Sequence, residues 1–174
     1  MSEEENLPGE NEGTGGGTQL EEQGSTGNSF SGVFPVHELG VKIANNGRTT
    51  PSTFVTIADM ESASIAVETG VEQWKPLDQS GWSRAFVTGK SFKVSFSGKR
   101  NIGDQGNNYI ASKTLATGAD CNSVLQIVFP DGWTITVNVV ISVSECGTGE
   151  STNVGPLKFD LISDGKPTTS FATT

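Results

Sequence analysis

The stretch SVLQIVFPDGWTITVNVVISVS, residues 123–144, contains two runs of alternating side chains separated by a short turn. Pro130-Asp131-Gly132 suits a three-residue hairpin loop, because Gly132 then takes the left-handed position. The register set by this loop brings mostly apolar residues opposite one another, which supports the pairing. The predicted pairs are Phe129 with Trp133, Ile127 with Ile135, Leu125 with Val137, and Ser123 with Val139. The sequence therefore predicts a long antiparallel hairpin.

The two faces of this hairpin differ in composition. Odd positions from 125 to 143 form a continuous apolar surface, which suits a core. Even positions carry polar, almost uncharged side chains with valines between them: Gln126, Thr134, Thr136, Asn138, Ser142 and Ser144. Solvent-facing sheets usually include Lys and Glu, so this composition favours a surface that meets a partner without holding it tightly. An ordinary solvent-facing sheet side is the alternative.

On both sides of the hairpin, short apolar or β-branched runs alternate with Gly, Asn and Pro. Regular spacing of this kind predicts a mainly β fold, an antiparallel β-sandwich or barrel. The predicted strands outside the hairpin are 36–44, 53–57, 63–68, 71–77, 85–88, 91–97 and 157–162.

One segment departs from the strand pattern and predicts a single short flanking α-helix. Asn107-Asn108 suits an N-cap, residues 109–116 follow with helical spacing, and Gly118 closes the segment. We expect this helix to pack on the sheet through Tyr109, Ile110 and Leu115. Two carboxylates, Asp104 and Asp120, flank it, where they suit capping better than acid–base chemistry.

Residues 1–31 contain seven Glu, seven Gly and few sizeable apolar side chains. Such a segment cannot bury enough surface to offset its ordering entropy, so we predict a disordered acidic arm. Residues 32–174 then form one domain. Seven of the 20 acidic residues lie in the acidic arm, which leaves 13 against 11 Lys and Arg in a nearly neutral body.

A nearly neutral body argues against a protein that grips nucleic acid, because phosphate binding needs clustered Lys and Arg. The densest basic group, Lys90, Lys93, Lys99 and Arg100, fits a solvated strand edge and turn. The N-terminus lacks a signal-peptide pattern and no apolar run reaches about 18 residues, so we expect no membrane insertion and a cytosolic product.

The two cysteines, Cys121 and Cys146, are not expected to form a disulfide. The hairpin register places Cys121 opposite Ile141, and Cys146 lies five positions further on, about 16 Å away. Two reduced thiols suit a cytosolic product.

The sequence offers little catalytic chemistry. His37 is the single histidine, so any triad has one possible base, and the two cysteines give no close zinc-ligand pair. The glycines of 13–17 are low complexity rather than a phosphate loop. We predict no enzyme activity, no metal and no cofactor.

Five segments, taken in order, resemble the major tail tube proteins of siphophages and prophages of Gram-positive bacteria. They are PVHELGVKIA (35–44), TIADMESASIAVETGVEQWKPLDQSGW (56–82), TGKSFKVSFSGKRNIGDQGNNYIA (88–111), SVLQIVFPDG (123–132) and LKFDLISDGKPT (157–168). The resemblance implies a β-sandwich with one flanking helix, related to the secretion tube protein Hcp.

The resemblance also implies a function. Subunits of this family form hexameric rings that stack head-to-tail in the virion tail, assembled in the host cytoplasm, and the genome passes through as double-stranded DNA. Expected partners are other copies of the chain, a tape measure protein and a tail terminator.

Two sets of candidate contact residues follow. For contacts between subunits or rings we select Lys99, Arg100, Asp104 and Gln105 in the 97–108 loop, with Trp74 and Trp82 as aromatic anchors. For the lumen we select Gln126, Thr134, Thr136 and Asn138. Two alternatives remain open: an Hcp-like secretion tube, and a carbohydrate-binding or decoration module that uses the tryptophans as a platform.

Overall fold

The computed structural model describes residues 31–171, so the predicted acidic arm lies outside the described residues except for Ser31. The described chain is mainly β with a single α-helix, as the sequence predicts. The strands are β1 Gly40–Ala44, β2 Phe54–Thr56, β3 Met60–Trp74, β4 Arg84–Lys99, β5 Asn122–Val128, β6 Trp133–Cys146, β7 Pro156–Ser163 and β8 Thr168–Phe171, and the helix α1 is Gln105–Ser112. Short 3-10 turns occupy Val36–Glu38, Leu77–Gln79 and Gly118–Cys121.

All eight strands belong to one antiparallel sheet, in the order β2-β1-β5-β6-β7-β4-β3. The strand β8 lies off this path and pairs with the first four residues of β6, while the second half of β6 pairs with β7. The long strand β6 therefore holds three neighbours together at the centre of the sheet.

The predicted hairpin of β5 and β6 is confirmed in its register. Leu125 pairs with Val137 and Ile127 pairs with Ile135. The odd-numbered side chains of this hairpin pack into one apolar core with residues of β1, β4 and β7, among them Ile43, Val94, Phe159 and Leu161. The helix α1, about two turns long, adds Ile110 to this core, in which Val139 is completely buried.

Two predicted strand breaks are wrong. The sequence prediction separates 63–68 from 71–77 and 85–88 from 91–97, whereas β3 and β4 run through both glycines. Gly70 and Gly89 lie opposite one another, and the register shifts by one residue directly after them. The glycines thus mark a β-bulge inside a continuous ladder, not the ends of strands.

The predicted helix boundaries are also wrong. The helix α1 begins at Gln105 because the Asp104 carboxylate caps it, accepting from the backbone N–H of Asn107 at 2.7 Å. Asn107 is therefore a buried helical residue instead of a cap. The helix ends at Ser112, so Leu115 lies beyond it and is 93% exposed, while Ile110 is buried as predicted and Tyr109 is half-buried against the core.

The first predicted strand, 36–44, is shorter than expected, because Val36–Glu38 form a 3-10 turn after Pro35 and the strand starts at Gly40. The two cysteines are unpaired, with Cys121 buried and Cys146 half-buried, as predicted. Within residues 31–171 no helix has the length and apolar character needed to cross a membrane.

Candidate assembly surfaces

The strands β3 and β4 extend well beyond the rest of the sheet. The third strand beside them, β7, pairs with β4 only over residues 93–99. From Val67 outward, β3 and β4 pair only with each other, as far as Trp74 and Arg84. We call residues 67–91 the hairpin extension. A two-stranded ribbon is marginally stable in water by itself, so this one is suited to packing against a partner.

The hairpin extension exposes apolar side chains on the side that continues the core face. Val67 lies opposite Phe92, and after the bulge Val71 lies opposite Val87. Directly opposed residues share a face, so these side chains form one stripe. Val67, Val71 and Val87 are 56%, 50% and 48% exposed. We call this row the valine stripe.

The tip of the hairpin extension carries the large aromatic side chains. Trp74 lies opposite Arg84, whose guanidinium is 5.9 Å from the Trp74 ring. Phe86, opposite Glu72, lies on the same face as Trp74, which is the face away from the valine stripe. Trp82 is 79% exposed and Leu77 is fully exposed in the connecting loop. The hairpin extension therefore exposes large apolar side chains on both of its faces, and such a concentration of them typically marks an interaction site. The two tryptophans selected from the sequence thus lie at the same end of the molecule.

The predicted 97–108 loop is shorter in the structure, because β4 runs to Lys99 and α1 begins at Gln105, which leaves residues 100–104 as the loop. The four polar residues selected there have different surroundings. The Arg100 guanidinium donates to the side-chain oxygens of Asn107 and Asn108, at 2.8 and 2.7 Å. Asp104 caps α1 and also accepts from the backbone N–H of Ala58 at 3.2 Å. These two side chains therefore hold the loop in its own conformation.

The other two selected loop residues point to the surface. Lys99 approaches Glu61 at 3.6 Å across two largely exposed side chains, and Gln105 is exposed at the first position of α1. An exposed ion pair of this kind contributes about 0–1 kcal/mol, so it is readily exchanged for another partner.

A buried amide, Asn107, anchors α1 to the neighbouring strands. Its amide nitrogen donates to the carbonyl oxygens of Ala58 and Lys99, at 3.2 and 2.9 Å. Its oxygen accepts from Arg100 and from the backbone N–H of Asn101, at 2.8 and 3.1 Å. Two donors and two acceptor positions are all used, which suits a fully buried amide. The sequence prediction took this residue for a helix cap because its partners, Ala58 and residues 99–101, are brought to it by tertiary structure.

The lumen candidates lie together on the side of the sheet away from the core, which we call the outer face. Gln126 lies opposite Thr136 between β5 and β6, and Thr136 lies opposite Thr168 on β8. Thr134 and Asn138 are the alternate residues on either side along β6, and Asn138 is exposed. The structure therefore places all four selected residues on one face, where Val124 and Val128 lie opposite Asn138 and Thr134.

Two pairs of opposite charges lie elsewhere on the outer face, whereas Lys42, opposite Gln126, has no carboxylate within ion-pair distance among the described residues. The Lys93 ammonium lies 2.8 Å from Asp160, and the Lys158 ammonium lies 2.6 Å from Glu145. Hydrogen bonds, first from Lys93 and then from Ser95, hold the pKa of the Asp160 carboxyl below its ordinary value. Asp160 therefore stays ionised at neutral pH, and the pair contributes no net charge to the surface.

The described part of the chain, 31–171, contains no group of three His, Cys, Asp or Glu side chains that could hold a metal ion. His37 is exposed in the turn before β1.

Solved structures share this fold. The chain is similar to one in the tail of an empty gene transfer agent particle with C6 symmetry, at 17% identity and a TM-score of 0.64, covering 81% of this chain and 100% of that one. It is similar to a chain in the virion of a native gene transfer agent, at 15% identity and a TM-score of 0.60, covering 79% and 99%.

A third likeness is to a chain in the sheath–tube complex of an extracellular contractile injection system in its extended state. Identity is 10% and the TM-score is 0.51, covering 80% of this chain and 93% of that one. No protein-family model matches the chain, and no curated protein matches it. The matched chains are parts of tail and injection particles, not enzymes, and this chain shares their fold over nearly their whole length.

Proposed function

We propose that this chain is the major tail tube subunit of a siphovirus-type phage or prophage of Gram-positive bacteria. In this proposal it forms hexameric rings that stack into the conduit for genome passage. The observation that carries the proposal is the hairpin extension, a long ribbon with exposed apolar residues, on a fold shared with a chain in a C6-symmetric tail. The five sequence motifs support the siphovirus type.

The hairpin extension supplies the contact between subunits in this proposal. A head-to-tail ring needs two different surfaces on each subunit, one that reaches out and one that receives. The valine stripe and the aromatic tip form the reaching surface, with Trp74 and Trp82 as anchors. Lys99 and Gln105 lie outside the hairpin extension and are proposed to contact the next ring, while Arg100 and Asp104 shape the loop that presents them.

The outer face supplies the lumen in this proposal. Gln126, Thr134, Thr136 and Asn138 form a polar surface beside which Lys42, opposite Gln126, adds one ammonium group. One lysine is not a cluster of cations that neutralises phosphates, so the surface lets DNA slide. The tube is assembled in the host cytoplasm and ends in the virion tail. A tape measure protein and a tail terminator are its proposed partners.

Negative-stain electron microscopy of the purified full chain tests the proposal. We expect rings with six-fold averages, or tubes, at raised protein concentration, because the exposed apolar surface of the hairpin extension favours association. A monomer at every concentration that binds a glycan array through the two exposed tryptophans would instead support the carbohydrate-binding alternative. An Hcp-like secretion tube would also form rings, so this experiment distinguishes a tube subunit of either kind from a carbohydrate-binding module.

A cysteine at position 138 tests which side of the sheet lines the lumen. We replace Asn138 with cysteine in a Cys146→Ser background, because Cys121 is buried. Assembled tubes are treated with maleimide–biotin and then with streptavidin–gold. A cysteine in the lumen should react with maleimide–biotin yet show no gold along the tube wall, because streptavidin is too large to enter the tube. Gold along the wall would show that position 138 lies on the exterior of the tube. Absence of biotin would show that position 138 lies in an interface between subunits. The free subunit, which should bind both reagents, is the control.

A further inference from the structure

A groove lies at the base of the hairpin extension, beside the turn between β7 and β8. The Ser163 hydroxyl accepts from the backbone N–H of Phe92 at 3.2 Å, and beyond this contact β4 and the end of β7 separate. The resulting space has a volume of about 650 Å³. Its lining residues are Val67, Lys90, Ser91, Phe92, Ser163, Gly165, Lys166 and Pro167.

The groove combines apolar surface with unpaired positive charge. Val67, Phe92 and Pro167 supply the apolar part. Among the described residues, neither Lys90 nor Lys166 has a carboxylate within ion-pair distance, whereas Lys93, Lys99 and Lys158 each have one. An apolar groove flanked by two free ammonium groups fits a peptide that carries a leucine beside carboxylates.

We propose that this groove binds the acidic arm of the same chain through the segment TQLEE, residues 18–22. Leu20 then occupies the apolar part, and the carboxylates of Glu21 and Glu22 pair with Lys90 and Lys166. The acidic arm carries seven Glu and no Lys or Arg, whereas the remainder of the chain is nearly neutral. It is therefore the segment whose charge is most complementary to the groove.

The acidic arm is long enough to reach the groove in its own subunit. The Phe34 ring lies 6.2 Å from that of Phe129, which packs on Trp133. Ser163, at the groove, lies opposite Val139, six residues along β6 from Trp133, or about 20 Å. The chain from Leu20 to Phe34 spans up to about 45 Å when extended. Because the segment is tethered, its effective concentration is on the order of millimolar, which favours its own groove over that of a second copy in dilute solution.

Docking at this place has a consequence for the free subunit. Val67 begins the valine stripe, so a bound segment covers the base of the surface that the hairpin extension offers to other copies. The docked segment belongs to the unassembled chain, and crosslinking in dilute solution detects it whether or not the chain forms tubes.

Photo-crosslinking of the full chain tests the inference. Leu20 is replaced by benzoyl-phenylalanine, dilute protein is irradiated, and products are mapped by mass spectrometry. We expect crosslinks to residues 67, 90–92 or 163–167. Lys90→Glu with Lys166→Glu should lower their yield about fivefold, as expected for losing two exposed ion pairs. Salt at about 1 M, where the Debye length is about 3 Å, should lower it as well.

Two further variants make the test specific. Adding Glu21→Lys and Glu22→Lys to the Lys90→Glu, Lys166→Glu variant should restore the crosslinking yield, because the charges of the segment and the groove are again opposite. The control Lys42→Glu with Lys113→Glu carries the same charge change away from the groove and should leave the yield unchanged. Mixing ¹⁴N-labelled and ¹⁵N-labelled protein distinguishes docking within one chain from docking between two copies. Crosslinked peptide pairs that carry a single isotope support the inference. Products joining the two isotopes, crosslinks elsewhere, or a yield that charge reversal does not alter would overturn it.

Discussion

We expect that replacing Val71 and Val87 with lysine abolishes the ring and tube formation proposed for this chain, while the free subunit stays folded. Both side chains are about half-exposed in the described subunit, so lysine is tolerated there before assembly. They lie opposite one another in the valine stripe, and packing that stripe against another subunit would bury two like charges. Burying unpaired charge costs several kcal/mol at each contact. We therefore expect the concentration needed for assembly to rise by more than about 100-fold, since 1.4 kcal/mol is about tenfold.

The measurement is sedimentation velocity across a concentration series, with electron microscopy of the same samples. A matched control is Leu115→Lys with Val154→Lys, which adds the same two charges at exposed apolar positions outside the hairpin extension. Far-ultraviolet circular dichroism confirms that each variant is folded. If the stripe variant assembles as readily as the control, the hairpin extension is not the contact between subunits.

The hairpin of β5 and β6 was predictable from sequence because its determinants are local. A Pro-Asp-Gly turn fixes the register, and the alternation of side chains then decides which face is buried. For the same reason Gln126, Thr134, Thr136 and Asn138 could be grouped on one face before any coordinates were known.

The hairpin extension could not be derived in the same way. Gly70 and Gly89 read locally as strand ends, and only the pairing of two segments about 20 residues apart shows them to be neighbours in one ladder. Trp74 and Trp82 stand out in the sequence as large aromatic residues. The valine stripe becomes recognisable only when Val71 and Val87 are known to lie opposite one another.

The 97–108 loop shows the same limit. Arg100 and Asp104 are charged residues in a Gly-containing loop, a pattern that favours solvent exposure and contact with a partner. In the structure their hydrogen bonds go to Asn107, Asn108 and the backbone of Ala58. The acceptors and donors that satisfy them come from tertiary structure, so local sequence does not reveal them.

Replacing Gly106 with alanine should destabilise the domain severely, although alanine favours helices by about 1 kcal/mol over glycine. A Cβ atom here would lie 2.9 Å from the carbonyl carbon of Thr56, closer still to its oxygen, and 3.2 Å from the Cα atom of Ile57. All three atoms are backbone, so no side-chain rotation relieves the clash. The first turn of α1 would have to move away, which breaks the hydrogen bonds from Asn107 to Ala58 and Lys99.

We expect a loss of about 3 kcal/mol in the free energy of unfolding, since overpacking and a broken buried hydrogen-bond network act together. For a domain of this size that lowers Tm by about 10 °C, measured by calorimetry. Gly103→Ala is the matched control, because a Cβ there meets only the Asn101 side-chain oxygen, at 3.4 Å. Its Tm should stay close to that of the parent. Equal melting temperatures for the two variants would show that α1 can move from β2 without cost. The close contact at Gly106 would then not be what fixes α1, and with it Gln105, beside the end of β4 at Lys99.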